Sequence, residues 1–298
     1  MIVSSRSSRL VWYAILTLQF VFVVYPMLWL LSISFRDSWS IFVDPWALPS
    51  ELRWENYGNA WERGALDHKI VNSVLVDFAA LAIALMLGSM VAYVVARFRF
   101  HGNRPLLFTF IGGMALPAFL GIVPLFILVT TGQQWIRTNF PLLGGGVTEW
   151  LNLADDRIWL ALVYAAFSLP FTVFILTGFF RSLPGELAEA AAADGASPFL
   201  IFWRIMLPLA KPGMVTAGIF VFISLWNEYP LALVLLQKSE KVHTLPLGMA
   251  NLTMTQKYQQ DWGALFAGLT IGVIPTIIIY TLFQRQIQSG LTAGAVKG

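Results

Sequence analysis

The chain has no cysteine, few histidines and few charged residues, and each shortage excludes a class of function. Without cysteine among the 298 residues, disulfide bonds, thiolate metal sites and cysteine nucleophiles are excluded. The three histidines, His68, His101 and His243, are far apart in the sequence, so a histidine metal site is not expected. Charged residues make up 12% of the chain, whereas soluble globular domains have roughly 25%. The basic residues form no stripe, so nucleic acid is not an expected partner.

Long apolar runs are what the sequence has instead. Hydrophobic residues make up 57% of the chain, and the mean hydropathy is +0.70. A helical run of about 20 apolar residues crosses the roughly 30 Å hydrocarbon core of a bilayer. We therefore predict an all-α membrane protein in contact with membrane lipid, with a single transmembrane domain over residues 1–298. Six transmembrane helices are predicted near residues 10–35, 70–98, 105–131, 158–180, 213–237 and 263–284.

The distribution of basic residues predicts the orientation in the membrane. The first run follows Arg6 and Arg9, but it is too long for a secretory signal and lacks a cleavage motif, so we predict a retained helix. The short connection RFRFHGNR, residues 97–104, is the most basic turn between two runs, and such turns stay inside. Both termini are therefore predicted in the cytoplasm, including the tail 285–298. The segments 36–69, 132–157 and 238–262 then lie outside, and tryptophans in the first of these suit the lipid surface.

Prolines lie in most of the apolar runs. A proline removes a backbone hydrogen bond and kinks a helix. In membranes such breaks persist where neighbouring helices or a water-filled cavity satisfy the freed groups. Membrane helices also tolerate proline without any function, but this number favours a moving, cavity-forming bundle. The prolines are Pro26, Pro117, Pro124, Pro170, Pro230 and Pro275.

An alanine-rich polar segment, residues 182–211, interrupts the apolar runs. Ser182 is expected to cap a helix that ends at Gly195, where glycine favours left-handed geometry. Ser197 followed by proline predicts a second helix, which Pro208 is expected to end. By its physics alone, the segment is either an amphipathic connector on the membrane surface or a thin helix that approaches a partner closely.

The same segment resembles the EAA loop in permease subunits of ABC importers. That loop reads Glu-Ala-Ala, three residues, glycine, nine residues and Ile-x-Leu-Pro, and every spacing is kept here. The resemblance implies a coupling helix, between the fourth and fifth transmembrane helices, that docks on a cytoplasmic ATPase subunit. The implied coupling residues are Glu189, Ala190, Ala191, Asp194, Gly195, Ile205, Leu207 and Pro208.

The resemblance covers essentially the whole chain. Within the binding-protein-dependent transport inner-membrane component family, the chain is similar to the maltose-type, carbohydrate-importing branch. Asn72-Ser73, the stretch from Trp226 to Tyr229 and the ending GLTAGAVKG resemble that branch, whereas Asp77 departs from it. The family implies a bacterial cytoplasmic membrane, a second homologous permease, two ATPase subunits and an extracytoplasmic sugar-binding protein, with a sugar as substrate. ATP and Mg²⁺ would be bound by the ATPase, with no cofactor on this chain. The implied tail contacts with the ATPase are Leu291, Thr292, Ala293 and Gly294.

The chain has no site for energy conversion of its own. No phosphate-binding G-x-x-x-x-G-K-[ST] loop occurs, so ATP hydrolysis is expected on another polypeptide and no enzymatic activity is expected here. An ion-gradient-driven secondary transporter is the alternative, but it predicts inverted repeats or a series of membrane acids, and neither is visible. A membrane-embedded enzyme would need convergent acids or histidines near the interface, and the sequence has no such cluster.

Two acids, Asp77 and Glu228, lie well inside apolar runs, where such residues face a cavity or a polar partner. Glu228 is expected to line the translocation path together with Trp226, Asn227 and Tyr229, because sugars have both apolar faces and hydroxyl groups. The alternative for Glu228 is a structural hydrogen bond to a neighbouring helix. For Asp77 the alternatives are a functional acid and a carboxyl that packs helices together.

Overall fold

The structure, a computed structural model, describes residues 6–140, 155–259 and 261–295, with side chains except at 6–7, 118–119, 254–259 and 287–295. Part of the outer segment predicted at 132–157 therefore lies outside the described residues. The described chain is helical and contains no strand, which confirms the all-α prediction for these residues. The helices are α1 (Arg6–Ser34), α2 (Ser38–Val43), α3 (Glu55–Arg63), α4 (Leu66–Arg97), α5 (Asn103–Ala115), α6 (Ile122–Asn139), α7 (Asp156–Ser182), α8 (Glu186–Ala193), α9 (Pro198–Ile201), α10 (Leu207–Leu209), α11 (Lys211–Trp226), α12 (Pro230–Leu235), α13 (Leu245–Gln259) and α14 (Trp262–Ala295).

Among the described residues, four helical segments are long and apolar enough to cross a membrane. They are Ser8–Ser34, Leu66–Arg97, Asp156–Ser182 and Trp262–Gln286. A fifth candidate is a bent pair, Pro198–Leu209 followed by Lys211–Trp226, with 71° between its two parts. The structure thus gives four or five candidate spans by length and composition, against the six helices that the apolar runs predict.

Two of the predicted helices, 105–131 and 213–237, are not continuous. α5 ends at Ala115 because Leu116 precedes a proline and takes an extended conformation (φ −79°, ψ 119°). A 3₁₀ turn, Ala118–Gly121, then leads into α6. α11 ends at Trp226, and Pro230 starts α12 at a position where its missing N–H costs nothing. Both breaks fall at prolines that the sequence singled out, but their effect is a break of the helix rather than a kink.

The predicted single domain contains two compact packing units. The first comprises Met1–Asp67 and Gly248–Pro275, and the second comprises His68–Leu247 and Thr276–Gly298. In the first unit, Asn56 Nδ2 donates to the carbonyls of Ser34 and Arg36, each at 2.8 Å, and so fixes α3 beside the end of α1. The four tryptophans between α1 and α4 are exposed and suit the lipid surface: Trp39, Trp46, Trp54 and Trp61.

The second unit has two apolar clusters, named for their place along α7: the outer cluster lies toward its start and the inner cluster toward its end. The outer cluster joins α4, α7, α11 and α12, with Tyr164 and Leu160 fully buried in it. The inner cluster joins the last turns of α4 and α7 to the segment after α8, through Tyr93, Phe180 and Phe202. The inner cluster therefore attaches the 182–211 segment to the bundle.

α5 and α6 together run beside α7 from one end to the other. At the α5 end, Asn103 Nδ2 donates to the carbonyl of Phe98, just beyond α4, at 2.6 Å. A side chain at Gly113 would come within 3.2 Å of Pro170 in the middle of α7. At the α6 end, Gln133 Nε2 donates to Asp156 Oδ1, at the start of α7, at 2.7 Å. Since α4 and α7 end together at the inner cluster, the broken pair extends from near the end of α7 to its start.

Candidate functional site

α8 has one face on the bundle and one face exposed. Ala188 and Ala191 are half-buried against the inner apolar cluster, which the small alanine side chain allows at close approach. Glu189, Ala190 and Asp194 are exposed on the other side. The result is a thin helix whose exposed side presents small alanine side chains together with acids, among them Glu189 and, directly after the helix, Asp194.

The turn after α8 has the geometry that the sequence predicts. Gly195 has φ +85°, in the left-handed region where a side chain would be strained. Ser197 Oγ accepts a hydrogen bond from the N–H of Leu200 at 3.3 Å and caps α9. The helix, glycine turn and second helix of this segment are therefore confirmed as local structure.

Two details of the same segment differ from the sequence prediction. Ser182 does not cap α8, because α7 continues through it and its Oγ donates to the Phe179 carbonyl at 2.8 Å. Pro208 does not end the second helix, because Leu207 keeps helical angles (φ −66°, ψ −45°). The residues Phe202–Met206 form a π turn, in which the N–H of Leu207 bonds the Phe202 carbonyl. In this wider turn the hydrogen bond spans five residues instead of four, directly before Pro208, which has no N–H to donate.

Arg97 connects the end of α4 to the start of this segment. One of its guanidinium nitrogens, Nη2, donates to the carbonyl of Leu183 at 2.6 Å. Together with the apolar cluster beneath α8, this bond holds the exposed face in a fixed position. The basic turn at 97–104 had indicated only orientation, and nothing in the sequence pairs Arg97 with Leu183.

The expected coupling residues divide by exposure. Glu189, Ala190, Asp194, Gly195 and Pro208 are exposed, whereas Ala191, Ile205 and Leu207 are half-buried and pack on the inner cluster. The second group therefore holds the segment on the bundle instead of presenting it outward.

Sequence reasoning missed Phe199, which is 71% exposed in α9 and packs edge-on against Trp203. Leu187 is a second exposed apolar residue, on α8. Their apolar side chains in a polar, alanine-rich segment could have singled out both residues in the sequence.

A cavity of about 450 Å³ lies between α5, α7, α11 and α12. Aromatic and aliphatic side chains form most of its wall, and Ser168, Ser224, Tyr164 and Glu228 add hydroxyl and carboxylate groups. Aromatic faces with a few polar groups are typical of a site for small polar-apolar molecules. The aromatic lining residues are Phe167, Phe171 and Phe220, beside Tyr164.

Glu228 has several hydrogen bonds in this cavity wall. The hydroxyl of Tyr164 donates to its Oε2 at 2.5 Å. The backbone N–H groups of Leu231 and Ala232 donate to Oε1 at 2.7 Å and Oε2 at 3.2 Å. Glu228 thus caps the N-terminus of α12, where a negative charge is favourable. Glu228 therefore makes the hydrogen bond to a neighbouring helix that was the structural alternative, and it also borders the cavity.

The neighbours of Glu228 in the sequence point elsewhere. Trp226 is only 3% exposed and stacks on Phe222, and Tyr229 packs on the outer apolar cluster. Asn227 is exposed, and its Nδ2 donates back to the Ile223 carbonyl at 2.8 Å. Of the four residues expected on the path, Glu228 is the one that lines the cavity.

Asp77 is buried in α4 at 1% exposure, and its Oδ2 has no hydrogen-bond partner among the described residues. It does not line the cavity that Glu228 borders. The tail residues 291–294 belong to the backbone of α14, which extends through Ala295. The proposed ATPase contacts of their side chains lie outside the described residues.

Polar side chains connect the start of α7 to α6 and to the residues that follow α12. Asp156 Oδ1 accepts from Gln133 Nε2 and from Lys238 Nζ, both at 2.7 Å. Burial alone would raise the pKa of Asp155, but the hydrogen bonds and charge of Arg157 outweigh it and hold that pKa below its usual range. These contacts fix the start of α7 against the chain that follows α12.

Asn72 and Ser73 hold the segment before α13 against α4. Asn72 Nδ2 donates to the carbonyls of Lys241 at 2.8 Å and His243 at 3.1 Å. Ser73 Oγ accepts from the N–H of Leu245 at 2.8 Å. The pair, singled out in the sequence, thus has a positioning role in this fold.

Comparison with a family profile shows which family the chain belongs to. The profile for the inner membrane component of binding-protein-dependent transport systems matches residues 84–292, more than half of the chain. The chain belongs to this family. The matched part of this transport component includes the 182–211 segment, the cavity and the whole inner cluster.

Individual relatives match over nearly the full length of this inner membrane component. It is 40% identical to the diacetylchitobiose uptake system permease protein NgcG of Streptomyces coelicolor, over 99% of this chain and 91% of that protein. It is 35% identical to the trehalose transport system permease protein SugB of Mycobacterium tuberculosis, over 96% of this chain and 97% of that protein. The family resemblance in the sequence is confirmed.

A solved structure has the same fold. A chain in the crystal structure of a bacterial ABC transporter involved in the import of the acidic polysaccharide alginate superposes with a TM-score of 0.72. The superposition covers 96% of this transport component and 99% of that chain, at 23% sequence identity. At this identity the likeness establishes the fold of an ABC importer permease and nothing finer.

Proposed function

We propose that this chain is the permease subunit of an ATP-driven, binding-protein-dependent sugar importer in the bacterial cytoplasmic membrane. It would form half of the translocation path, beside a second homologous permease, and would work with two ATPase subunits and an extracytoplasmic sugar-binding protein. Support comes from family membership and from relatives whose names state diacetylchitobiose and trehalose transport. The chain itself performs no covalent chemistry in this proposal.

The observation on which the coupling role rests is the outward face of α8 and α9. It presents Glu189, Asp194 and Phe199 on a backbone that Gly195 turns sharply. The opposite face is fixed to the inner cluster, so a push on α8 is transmitted to the bundle instead of being absorbed by a loop. We infer that this face docks on a cytoplasmic ATPase subunit and transmits its closure to the bundle.

The translocation role is assigned to the 450 Å³ cavity. Sugars stack their apolar faces on aromatic rings and donate hydroxyl hydrogen bonds to acceptors, and Phe167, Phe171, Ser224 and Glu228 supply both kinds of contact. Glu228 remains the residue assigned to the path, while Trp226 and Tyr229 do not line this cavity.

Six crossings remain part of the proposal, with both broken pairs crossing once. α5 and α6 together match the length of α7, as the contacts at both of their ends indicate. α11 begins beside the inner cluster, and Lys238, just after α12, bonds Asp156 at the other end. With six crossings and both termini inside, the face of α8 lies in the cytoplasm.

The test uses the absence of native cysteine. Ala190→Cys faces outward on α8, and Ala188→Cys, on the inward face of the same helix, is the matched control. We expect a nucleotide-sensitive disulfide between position 190 and a cysteine in the docking cleft of the co-expressed ATPase subunit, and none from position 188. If neither position cross-links while the chain alone still transports a solute, the proposal fails and a gradient-driven transporter replaces it.

A further inference from the structure

A second concave surface, separate from the translocation cavity, lies on the opposite side of α11. It is a groove of about 560 Å³ between α4, α11 and α14, and it shares no lining residue with that cavity. Lys211 is the one charged residue among those that line it. Representative apolar lining residues are Phe78, Leu81, Val215, Phe222, Ile279 and Phe283.

The groove lies along segments that cross the membrane. Its walls belong to the candidate spans Leu66–Arg97 and Trp262–Gln286 and to the second part of the bent pair. Gly218 lies on the wall formed by α11, where a Cβ would be in van der Waals contact with Leu85 Cδ1 at 3.4 Å. An apolar groove along membrane-spanning helices would be filled by an acyl chain or by an apolar helix.

One end of the groove is positively charged. Lys211 lines that end, is exposed and forms no ion pair with a described residue. Thr216 Oγ1 donates to the carbonyl of Gln286 at 3.4 Å, which brings the end of α14 beside the first turns of α11. Arg285, exposed and also without an ion pair in the described chain, is therefore near the same end, two residues beyond the lining Phe283.

We propose that this groove binds one anionic phospholipid, with an acyl chain along the apolar walls and the phosphate beside Lys211 and Arg285. A membrane-embedded groove that ends in cations fits an anionic headgroup, because basic residues at the membrane surface attract anionic lipid at about 1 kcal/mol each. Zwitterionic lipid would fill the apolar part equally well but would gain less from the cations. An apolar helix would leave Lys211 without an anionic partner.

The site is distinct from the transport function proposed above. It depends on the chain spanning a membrane, and it does not depend on the identity of the sugar or on the docking of α8. A lipid here would contact α11 at its first turns, next to the bend that follows α10.

The first measurement is native mass spectrometry of the purified full-length chain, delipidated and titrated with phosphatidylglycerol or phosphatidylcholine. We expect one retained phosphatidylglycerol at concentrations where phosphatidylcholine is not retained. Lys211→Gln should raise the half-saturating phosphatidylglycerol concentration about fivefold, the factor for one lost cation. Arg104→Gln removes the same charge from the exposed start of α5, away from the groove, and should leave the titration unchanged.

A second variant locates the lipid. Val215→Trp fills the groove from a lining position and should remove the retained phosphatidylglycerol without changing the charge. Equal retention of both lipids, or no effect of Lys211→Gln, would overturn the anionic site. If the assembled transporter, purified with its partners, lacks the lipid that Val215→Trp removes from the free chain, a partner helix occupies the groove and the proposal is also overturned.

Discussion

Tyr164 and Glu228 form the hydrogen bond that links α7 to the break between α11 and α12. Tyr164→Phe removes the donor and leaves a partly buried carboxylate with one bond fewer, which we expect to cost about 1–3 kcal/mol of stability. The midpoint of thermal unfolding in detergent should fall for this variant. Tyr280→Phe is the matched control, because Tyr280 is exposed on α14. Equal midpoints for the two variants would show that the bond contributes nothing.

His243 makes the second residue-scale prediction, a dependence on pH. Burial lowers the pKa of His243 below its usual value, although the nearby Glu240 and a backbone hydrogen bond to Leu236 act in the opposite direction. The folded chain then holds His243 neutral, while the unfolded chain protonates it near its usual value of about 6.5. This contribution to stability is present above about pH 6.5 and is lost progressively below it.

The check is the change in unfolding midpoint between about pH 7.5 and about pH 5.5. The wild-type midpoint should fall more over this interval than that of His243→Gln. His101→Gln, at an exposed position in the 97–104 turn, should behave as wild type. An identical fall in all three proteins would contradict the assignment.

At the scale of elements, α4 and α7 pack closely because one of them has a glycine at the contact. A Cβ at Gly88 would lie 2.6 Å from Thr172 Cγ2, a distance that forces the helices or the threonine to move. Gly88→Ala should therefore destabilise the chain by about 1–3 kcal/mol. Gly178→Ala is the matched control, since no atom lies within 4 Å of a Cβ there and alanine favours the helix.

The unfolding midpoints of the two alanine variants give the test. A lower midpoint for Gly88→Ala together with an unchanged or higher one for Gly178→Ala is expected. If Gly178→Ala instead had the lower midpoint, the close α4–α7 contact would not be present in the detergent-solubilised protein.

At the scale of the whole molecule, the prediction concerns topology. Single cysteines at Ser5 and Gly298 should react with a membrane-impermeant maleimide only after the cells are permeabilised. Glu51→Cys, in the exposed segment between α2 and α3, should react in intact cells. Labelling of a terminus in intact cells would contradict its cytoplasmic location, and labelling of only one of the two termini would also contradict the six crossings.

The apolar runs predicted the long helices because length and composition alone decide whether a helix can span a bilayer. They could not predict the break at Leu116, because a proline inside an apolar run is compatible with a kink, a break or an unchanged helix. Pro26, Pro170 and Pro275 lie inside continuous helices, whereas the chain breaks before Pro117. Packing against neighbouring helices decides between these outcomes, and a single sequence does not show which helices are neighbours.

In the candidate site, too, local features could be predicted from the sequence and contacts between distant residues could not. Gly195 and Ser197 were predictable because left-handed geometry and helix capping are local properties of the chain. The bond from Tyr164 to Glu228 was not, since it joins residues 64 positions apart. The π turn before Pro208 also has no sequence signal of its own, and it overturned the expected end of the helix.

The bend at Ala210 allows a small rotation there to become a larger displacement at the far end of α11. The helical stretch Pro198–Leu209 and α11 meet there at 71° without an intervening loop, so a rotation at this bend swings α11 as a whole. α11 has 16 residues, which corresponds to a rigid arm of about 24 Å. A rotation of about 5° at Ala210 then displaces the far end of α11 by about 2 Å over that arm. That displacement is comparable to the length of the hydrogen bonds around Glu228, so a small turn at one surface is enough to rearrange them.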